Sequence, residues 1–474
     1  MNITLDPEAV VGLPDAERAQ LTDLLKIYKK HETKNNTKAK YYEGDITVGE
    51  VNLGIALPEG IRKLEIGCAW GAKAVDVLAD RSVFDGFVGA NGQPVEELME
   101  IVAANRLISE YQKHTRDELT YGCTFATLSR DEKIGCKIRF HTPRTAAARW
   151  SGEKNRIDCG FAVIDVEENQ ISGSESVNVK PRLINLYTDT AVWVLTRVGE
   201  VWRAQGFAQK MGRPLMIPFI WNATSEKRLG QGRISNPVRR LIEGYVRTVA
   251  NATIALEFST APQKYMLGVT DEQYDALINQ KFKQYVGSMI VGTTNPETGE
   301  KPVFGQLQQG SLQPHVEQLR ILATQFAAAT GLSVTDTGVV NDANPTSSDA
   351  LQAQTSTLIG LAEDLNTANG ETLKLLALLA MAIKRGVTPD ELSEEEASVV
   401  AHFKSPARPN IAASADAATK IAGARPAFAE TDVFLEMLGF DQADIRRIKA
   451  QEQRARGTRI LEELTYEDNG AELG

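Results

Sequence analysis

Ser235-Asn236-Pro237-Val238-Arg239-Arg240-Leu241-Ile242, Gln313-Pro314-His315-Val316 and Ser347-Ser348-Asp349-Ala350-Leu351 are three helix openings inside the stretch 213–384, and their order decides the fold. At the first, an N-cap candidate precedes a proline at the first helical turn, where its missing N–H costs nothing. Val238, Leu241, Ile242, Tyr245, Val246, Val249, Thr253 and Leu256 then recur three or four apart, while Arg239, Arg240, Glu243, Arg247 and Asn251 fill the opposite face. The spacing predicts an amphipathic helix ending near Pro262, about 39 Å long.

Past that helix the pattern turns to short strands. Lys264-Tyr265-Met266-Leu267, Ser288-Met289-Ile290-Val291 and Pro302-Val303-Phe304-Gly305 are separated by the turn signals Thr294-Asn295-Pro296 and Thr298-Gly299. A second helix opens at Gln313, carries Val316, Leu319, Leu322, Ala323, Phe326 and Ala327 on one face, and stops at Gly331. It is expected to run antiparallel to the first. The polar segment from Leu332 to Pro345 reads as an exposed loop, after which a capped helix of about 55 Å continues to about Lys384.

This order of parts, with short quoted blocks in order and spacing, resembles a portal protein of a tailed bacteriophage, siphophage type. The blocks are Tyr41-Tyr42-Glu43-Gly44, Ala74-Val75-Asp76-Val77-Leu78-Ala79-Asp80-Arg81 with Phe84-Asp85-Gly86-Phe87, Gly212-Arg213-Pro214-Leu215-Met216, Leu256-Glu257-Phe258 with Ala261-Pro262-Gln263-Lys264-Tyr265, and Asn344-Pro345-Thr346-Ser347-Ser348-Asp349. The resemblance implies an α+β ring subunit. Its parts would be a mixed α/β wing (1–234), a two-helix stem (235–262 and 312–331), a β-rich clip (263–311), a tunnel loop (332–346), a long wing helix (347–385) and a helical crown (386–474).

The same resemblance implies a homo-oligomeric ring, a dodecamer, at one capsid vertex, made in the bacterial host cytoplasm and carried in the virion. Double-stranded DNA would pass through it without sequence recognition, and terminase, a head-to-tail adaptor, and major capsid and scaffolding proteins would be its partners. It puts Thr335, Asp336, Thr337, Gly338, Val339, Val340, Asn341, Asp342 and Asn344 in the DNA-facing loop. Tyr265, Met266, Met289, Ile290, Val303 and Phe304 fall in the clip, and Arg239, Arg240 and Arg247 on the stem. The runner-up is another ring-forming virion or tail component that conducts no DNA.

Composition agrees with ordinary globular material. The 474 residues exceed what one core usually supports, and 42% are hydrophobic against 24% charged. The first seventeen residues lack a basic start followed by an apolar core, so no secretory signal is read there, and the longest apolar run, Leu373–Ile383, is too short to cross a bilayer. A net charge of −10 argues against a protein that grips nucleic acid through a dominant basic surface. A channel is better served by a surface that holds phosphate weakly. The four cysteines, Cys68, Cys123, Cys136 and Cys159, show no pairing pattern and read as reduced, mostly buried thiols.

Before residue 234, helices are expected over 15–33 and 94–118. From Gly122 on, strand follows strand with no helix between, which implies antiparallel pairing. That pattern weighs against the most tempting enzymatic reading. Lys63-Leu64-Glu65-Ile66-Gly67-Cys68-Ala69-Trp70-Gly71 looks like the first motif of a methyltransferase using S-adenosylmethionine, but Ala69 replaces a glycine and no parallel unit ending in a carboxylate follows. A buried loop and helix over 70–81, packed in the wing, is the preferred reading. No P-loop, nucleophile elbow or metal spacing appears, and His31, His114, His141, His315 and His402 are scattered, with surface or half-buried positions expected. No catalytic, cofactor or metal site is expected, and the chain is read as no enzyme.

After residue 386, helices are expected over 393–403, 412–422, 430–438 and 442–463. The basic run Arg446, Arg447, Lys449, Arg454, Arg456 and Arg459 is interleaved with acids, so a solvated or ion-paired face is preferred to a nucleic-acid patch.

Overall fold

A computed structural model describes residues 3, 5–46, 66–89, 95–170, 177–260, 264–267, 303–306, 311–339, 348–407, 411–440, 444–445 and 447–458, with 294, 299 and 301. In chain order the elements are α1 (Asp15–Glu43), α2 (Trp70–Ala79), β1 (Phe84–Val88), α3 (Glu96–Ala104), α4 (Leu107–Tyr121), β2 (Cys123–Asp131), β3 (Gly135–His141), β4 (Ala146–Ser151), β5 (Arg156–Gln170), β6 (Val177–Thr188), β7 (Ala191–Val198), β8 (Val201–Ala208) and β9 (Met216–Ile220). They continue with α5 (Asn236–Thr260), β10 (Lys264–Leu267), β11 (Val303–Gln306), α6 (Gln313–Thr330), α7 (Ser348–Arg385), α8 (Glu394–Ala397), β12 (Val400–Phe403), α9 (Ile411–Ala424) and α10 (Asp432–Met437). Two compact units result: one from Met1–Asn35, Asp76–Gly232 and Ser356–Gly474, the other from Asn36–Val75 and Arg233–Thr355.

The first unit carries the sheets. β4 to β8 form a five-stranded sheet in sequence order, β3-β2-β9 a three-stranded one and β1-β12 a ribbon, and every named pair is antiparallel. The alternation that predicted strands also supplies the core: Phe161, Val163, Ile184, Leu186, Leu195 and Trp202 share a buried cluster with Leu21, Leu24, Leu25 and Tyr28 of α1. Tyr28 fixes that docking by donating its hydroxyl hydrogen to the Arg144 carbonyl at 2.9 Å.

A second cluster joins Phe84, Tyr111, Phe125 and Phe219 to Leu373, Leu376, Leu379, Ala380 and Ile383 of α7. This explains the apolar run at 373–383: most of this helix end is buried in the cluster, and little of its surface needs to stay polar. Among the described residues no helix is long and apolar enough to cross a membrane.

The expected helix over 94–118 is two helices, because Asn105 breaks it. Its Nδ2 donates to the carbonyls of Ile101 and Cys136 at 3.0 and 2.9 Å, its Oδ1 accepts from the Ile138 amide at 2.8 Å, and Arg106 follows at φ 50°. One asparagine thus ends α3 and extends the hydrogen bonding of β3. The helix expected over 15–33 runs to Glu43, so the basic residues Lys26, Lys29 and Lys30 lie mid-helix and not at a C-terminus. The helix expected over 393–403 survives only as α8. Val400–Phe403 is β12, which pairs with β1 in the register Phe84↔Phe403 and Val88↔Val400. The strand β1 was itself unexpected, as was β4.

The C-terminal basic run behaves as an ion-paired face where it is described. Arg447 lies 3.6 Å from Asp444, and Lys449 pairs with Asp432 of α10. Arg454 and Arg456 are exposed, and Arg446 and Arg459 lie outside the described residues.

Candidate functional site

In the second unit, α5 and α6 pack as an antiparallel hairpin. Gly244, midway along α5, faces Leu322 of α6, close enough that an added Cβ would meet its Cδ2 at 3.1 Å. Arg233, just before α5, donates its guanidinium hydrogens to the carbonyls of Thr330, at the end of α6, and of Ala74. A cation on the exposed carbonyls of a helix C-terminus is favourable there, and burial lowers the Arg233 guanidinium to about 10.

The buried row on α5 is Val238, Ile242, Val246 and Ala250, a single i, i+4 ridge. On α6 it is Leu322, Ala323, Phe326, Ala327 and Thr330, and Gly331 closes the helix at φ 69° with its N–H on the Ala327 carbonyl. The rows stop short of what periodicity predicts. Leu256 is 49% exposed, Val316 42% and Ile321 51%, and Leu267 and Val303 of the connecting strands are each 60% exposed. The ribbon between the helices is β10-β11, antiparallel, with Tyr265 opposite Gly305, Met266 opposite Phe304 and Leu267 opposite Val303. Met289, Ile290 and the strand expected over 288–292 lie outside the described residues.

Trp70 is the anchor of this unit. Its ring is 3% exposed, lies 4.7 Å from Phe326 at 25° and 4.7 Å from Tyr245, and its Nε1 donates to the Thr337 carbonyl at 3.0 Å. One side chain therefore ties α5, α6 and the chain leaving α6 together. Trp70–Val75 belong to this unit and Asp76 onward to the other, so α2 is shared between the two.

Gly71 has a packing reason of its own. A Cβ there would lie 1.8 Å from the Tyr41 carbonyl oxygen, so the glycine allows α1 and α2 to touch backbone to backbone. No cofactor is needed to account for it. Tyr41 in turn donates its hydroxyl to Glu243 Oε1 at 2.6 Å, and Arg239 lies over its ring at 5.6 Å. Two of the quoted sequence blocks thus converge on the hairpin, a convergence that spacing alone did not reveal. Arg240 and Arg247 are exposed on α5.

The first part of the expected tunnel loop is an ordered turn. Ser333 caps a 3-10 turn over Val334–Thr337, and Asp336 completes the capping box by accepting from the Ser333 amide at 3.1 Å and hydroxyl at 2.7 Å. Asp336 is thus held within the turn by neutral donors. Thr335 contacts the Ser333 hydroxyl at 2.7 Å, Thr337 is buried, Gly338 sits at φ 76°, and the Val339 amide donates to the Thr337 hydroxyl oxygen at 3.4 Å. Val340, Asn341, Asp342 and Asn344 lie outside the described residues.

Among the described residues no group of three or more His, Cys, Asp or Glu is placed to hold a metal. The four cysteines are free thiols, three of them buried, and burial raises Cys68 to about 11. His114 and His141 correct the sequence expectation, since both are buried in the sheet-bearing unit.

Residues 15–458 match the family described as phage portal protein, SPP1 Gp6-like. The chain belongs to this portal family. Relatives include the portal protein of Mycobacterium phage L5, 26% identical over 393 residues that cover 78% of this chain and 75% of the relative. That of Mycobacterium phage D29 is 25% identical over 406 residues, covering 82% and 78%. Among solved structures, a chain of the virion of the native gene transfer agent particle aligns with TM-score 0.45 and 12% identity, covering 78% of this chain and 89% of its own. A chain from the neck of the native particle, computed with C12 symmetry, aligns with TM-score 0.44 and 13% identity, covering 79% and 90%. The portal family is a structural one, and its members are parts of the phage virion.

Proposed function

We propose that this portal-family chain assembles into a closed dodecameric ring at one capsid vertex, through which double-stranded DNA enters during packaging and leaves at ejection. In this reading α5 and α6 are the stem and 263–311 the clip, which docks terminase first and a head-to-tail adaptor later. Residues 332–346 are the tunnel loop, α7 the long wing helix, and 386–474 the crown. Capsid and scaffolding proteins surround the ring, the chain is made in the host cytoplasm, and no catalysis is assigned to it.

The observation that carries the reading is the apolar surface left on the hairpin. Leu256 and Val316, whose spacing is that of core positions, are exposed, and so are Ile321 of α6 and Leu267 and Val303 of the ribbon. Neighbouring copies repeated about an axis would cover such a surface. Electron microscopy of the purified chain is expected to show perforated rings. Ile321→Asp together with Leu256→Asp should leave the subunit folded and lower ring yield at least tenfold. A wild-type chain that stays monomeric in light scattering at all concentrations, and in particles, would sink the proposal.

The loop has its own test. Because Ser333–Thr337 is tied to Trp70, only 340–344 should be exchanged for a Gly-Ser linker. Rings should still form, while DNA packaging or retention in the capsid drops. A variant that fills and holds a full genome at the normal rate would make the loop a plain connector.

A further inference from the structure

Where α4 meets α7 in the sheet-bearing unit, Glu118 and Asn369 face each other, both with 0% exposure. Asn369 Nδ2 donates to Glu118 Oε2 at 2.8 Å and to the Tyr111 hydroxyl at 3.0 Å, and Tyr111 reaches Ser82 Oγ at 3.1 Å. Two atoms are left over. Glu118 Oε1 and Asn369 Oδ1 are both buried without a hydrogen-bond partner. Both are acceptors, so neither can satisfy the other while Glu118 is ionised.

A buried carboxylate with no cation beside it is costly, and two orphan oxygens in one contact add to that cost. The groups facing Glu118 are Tyr111 on its own helix, Asn369 on α7 and, through Tyr111, Ser82 and the Phe403 ring of β12. None carries charge at neutral pH. One proton on Oε1 changes the count: the acid gains an O–H donor where Asn369 Oδ1 lacks one, and a carboxylic acid and a carboxamide then match donor to acceptor twice.

We propose that Glu118 is held as a neutral carboxylic acid and forms a two-bond acid–amide pair with Asn369, a proton-dependent clamp that fixes the long helix α7 against α4. The proton comes from solvent while the chain folds and returns to it when the clamp opens, with no other bond made or broken. Burial acts in the same direction, raising Glu118 from the usual 4.5 to about 8, and raising Tyr111 to about 12 so that its hydroxyl stays neutral. Glu118 is a positioning residue, and its contact sets the register of a 38-residue helix at one point along its length.

The sign of the pH dependence follows. The unfolded chain releases this proton near 4.5 and the folded chain near 8, so the clamp contributes fully below 4.5 and is lost as pH rises through about 8. Glu118→Gln keeps the shape and supplies a permanent N–H donor. Its thermal midpoint should equal or exceed wild type at pH 7 and stay flat to pH 9, where wild type falls by several degrees.

Asn369→Asp should lower the midpoint, and the swapped pair E118Q/N369D should recover it, because acid and amide merely exchange places. Infrared spectra of the full-length wild type should hold a protonated-carboxyl band at pH 7 that E118Q lacks. Should the variants fail to fold, that band in the wild type decides alone. Absence of the band at pH 7, or E118Q as damaging as Glu118→Ala with no rescue by the swap, would overturn the proposal.

Discussion

Trp70→Ala should unfold the hairpin unit at markedly lower temperature, at a cost of about 3–5 kcal/mol, the usual range for emptying a buried aromatic site. The loss has three parts. The indole leaves a cavity between Phe326 and Tyr245, two ring contacts at 4.7 Å disappear, and the Thr337 carbonyl loses its donor. Trp70→Phe should separate them, since it keeps a ring in the slot and forfeits mainly the hydrogen bond, for about 1 kcal/mol. Amide exchange resolves the same distinction locally: in both variants the amides of Val334–Val339 should exchange faster, but only Ala should speed exchange along α6. A Trp70→Ala midpoint within one degree of wild type would show that the indole anchors nothing.

How far the sequence revealed this site depends on the range of the interactions involved. Helix openings are local. Ser235-Asn236-Pro237, Gln313-Pro314 and Ser348 each carry their own signal, and α5, α6 and α7 begin within a residue or two of the positions read. Strands 122–221 were legible because alternation is written into each strand, and the missed β4 is Ala-Ala-Ala-Arg-Trp-Ser, whose small residues alternate in nothing a sequence pattern detects.

Long-range pairings are where the reading failed. Asn105 looked like an ordinary helical residue until β3 supplied its partners. Gly71 looked like part of a cofactor loop until the Tyr41 carbonyl was found against it. Trp70 and Arg233 had no local signal at all. Their roles come from Thr337, Thr330 and Ala74, between about 100 and 270 positions away, and no periodicity encodes that. Asp336 shows the reverse case. The Ser-x-x-Asp spacing from Ser333 is a capping-box signal that was present in the sequence and was read only as loop.

Acid should destabilise the sheet-bearing unit through two histidines. His114 is 2% exposed, sits 4.2 Å from the Phe140 ring and 4.6 Å from Phe219, and bonds Thr124 Oγ1 at 2.9 Å. His141 bonds Thr127 Oγ1 at 2.9 Å. Burial lowers His114 from 6.5 to about 3, with His141 pushing the same way, and lowers His141 to about 4, with Arg139 adding to it.

For a base whose folded pKa is depressed, the unfolded chain takes up the proton first. The stabilisation is therefore complete above 6.5 and is lost as pH falls toward 3 to 4. By pH 4 the pair should cost on the order of 5 kcal/mol. Asp117 and Glu118, raised by burial to about 6 and about 8, have slopes of the opposite sign, so the measurement must isolate the imidazole. His114→Gln does that, because it retains a hydrogen-bonding group toward Thr124 and cannot be charged. Acid unfolding of the variant, followed by circular dichroism, should move its midpoint to lower pH, and the gap in stability between variant and wild type should close above pH 6.5. An acid midpoint that does not move would mean that His114 is solvated when protonated and that its burial among Phe140 and Phe219 gives way without cost.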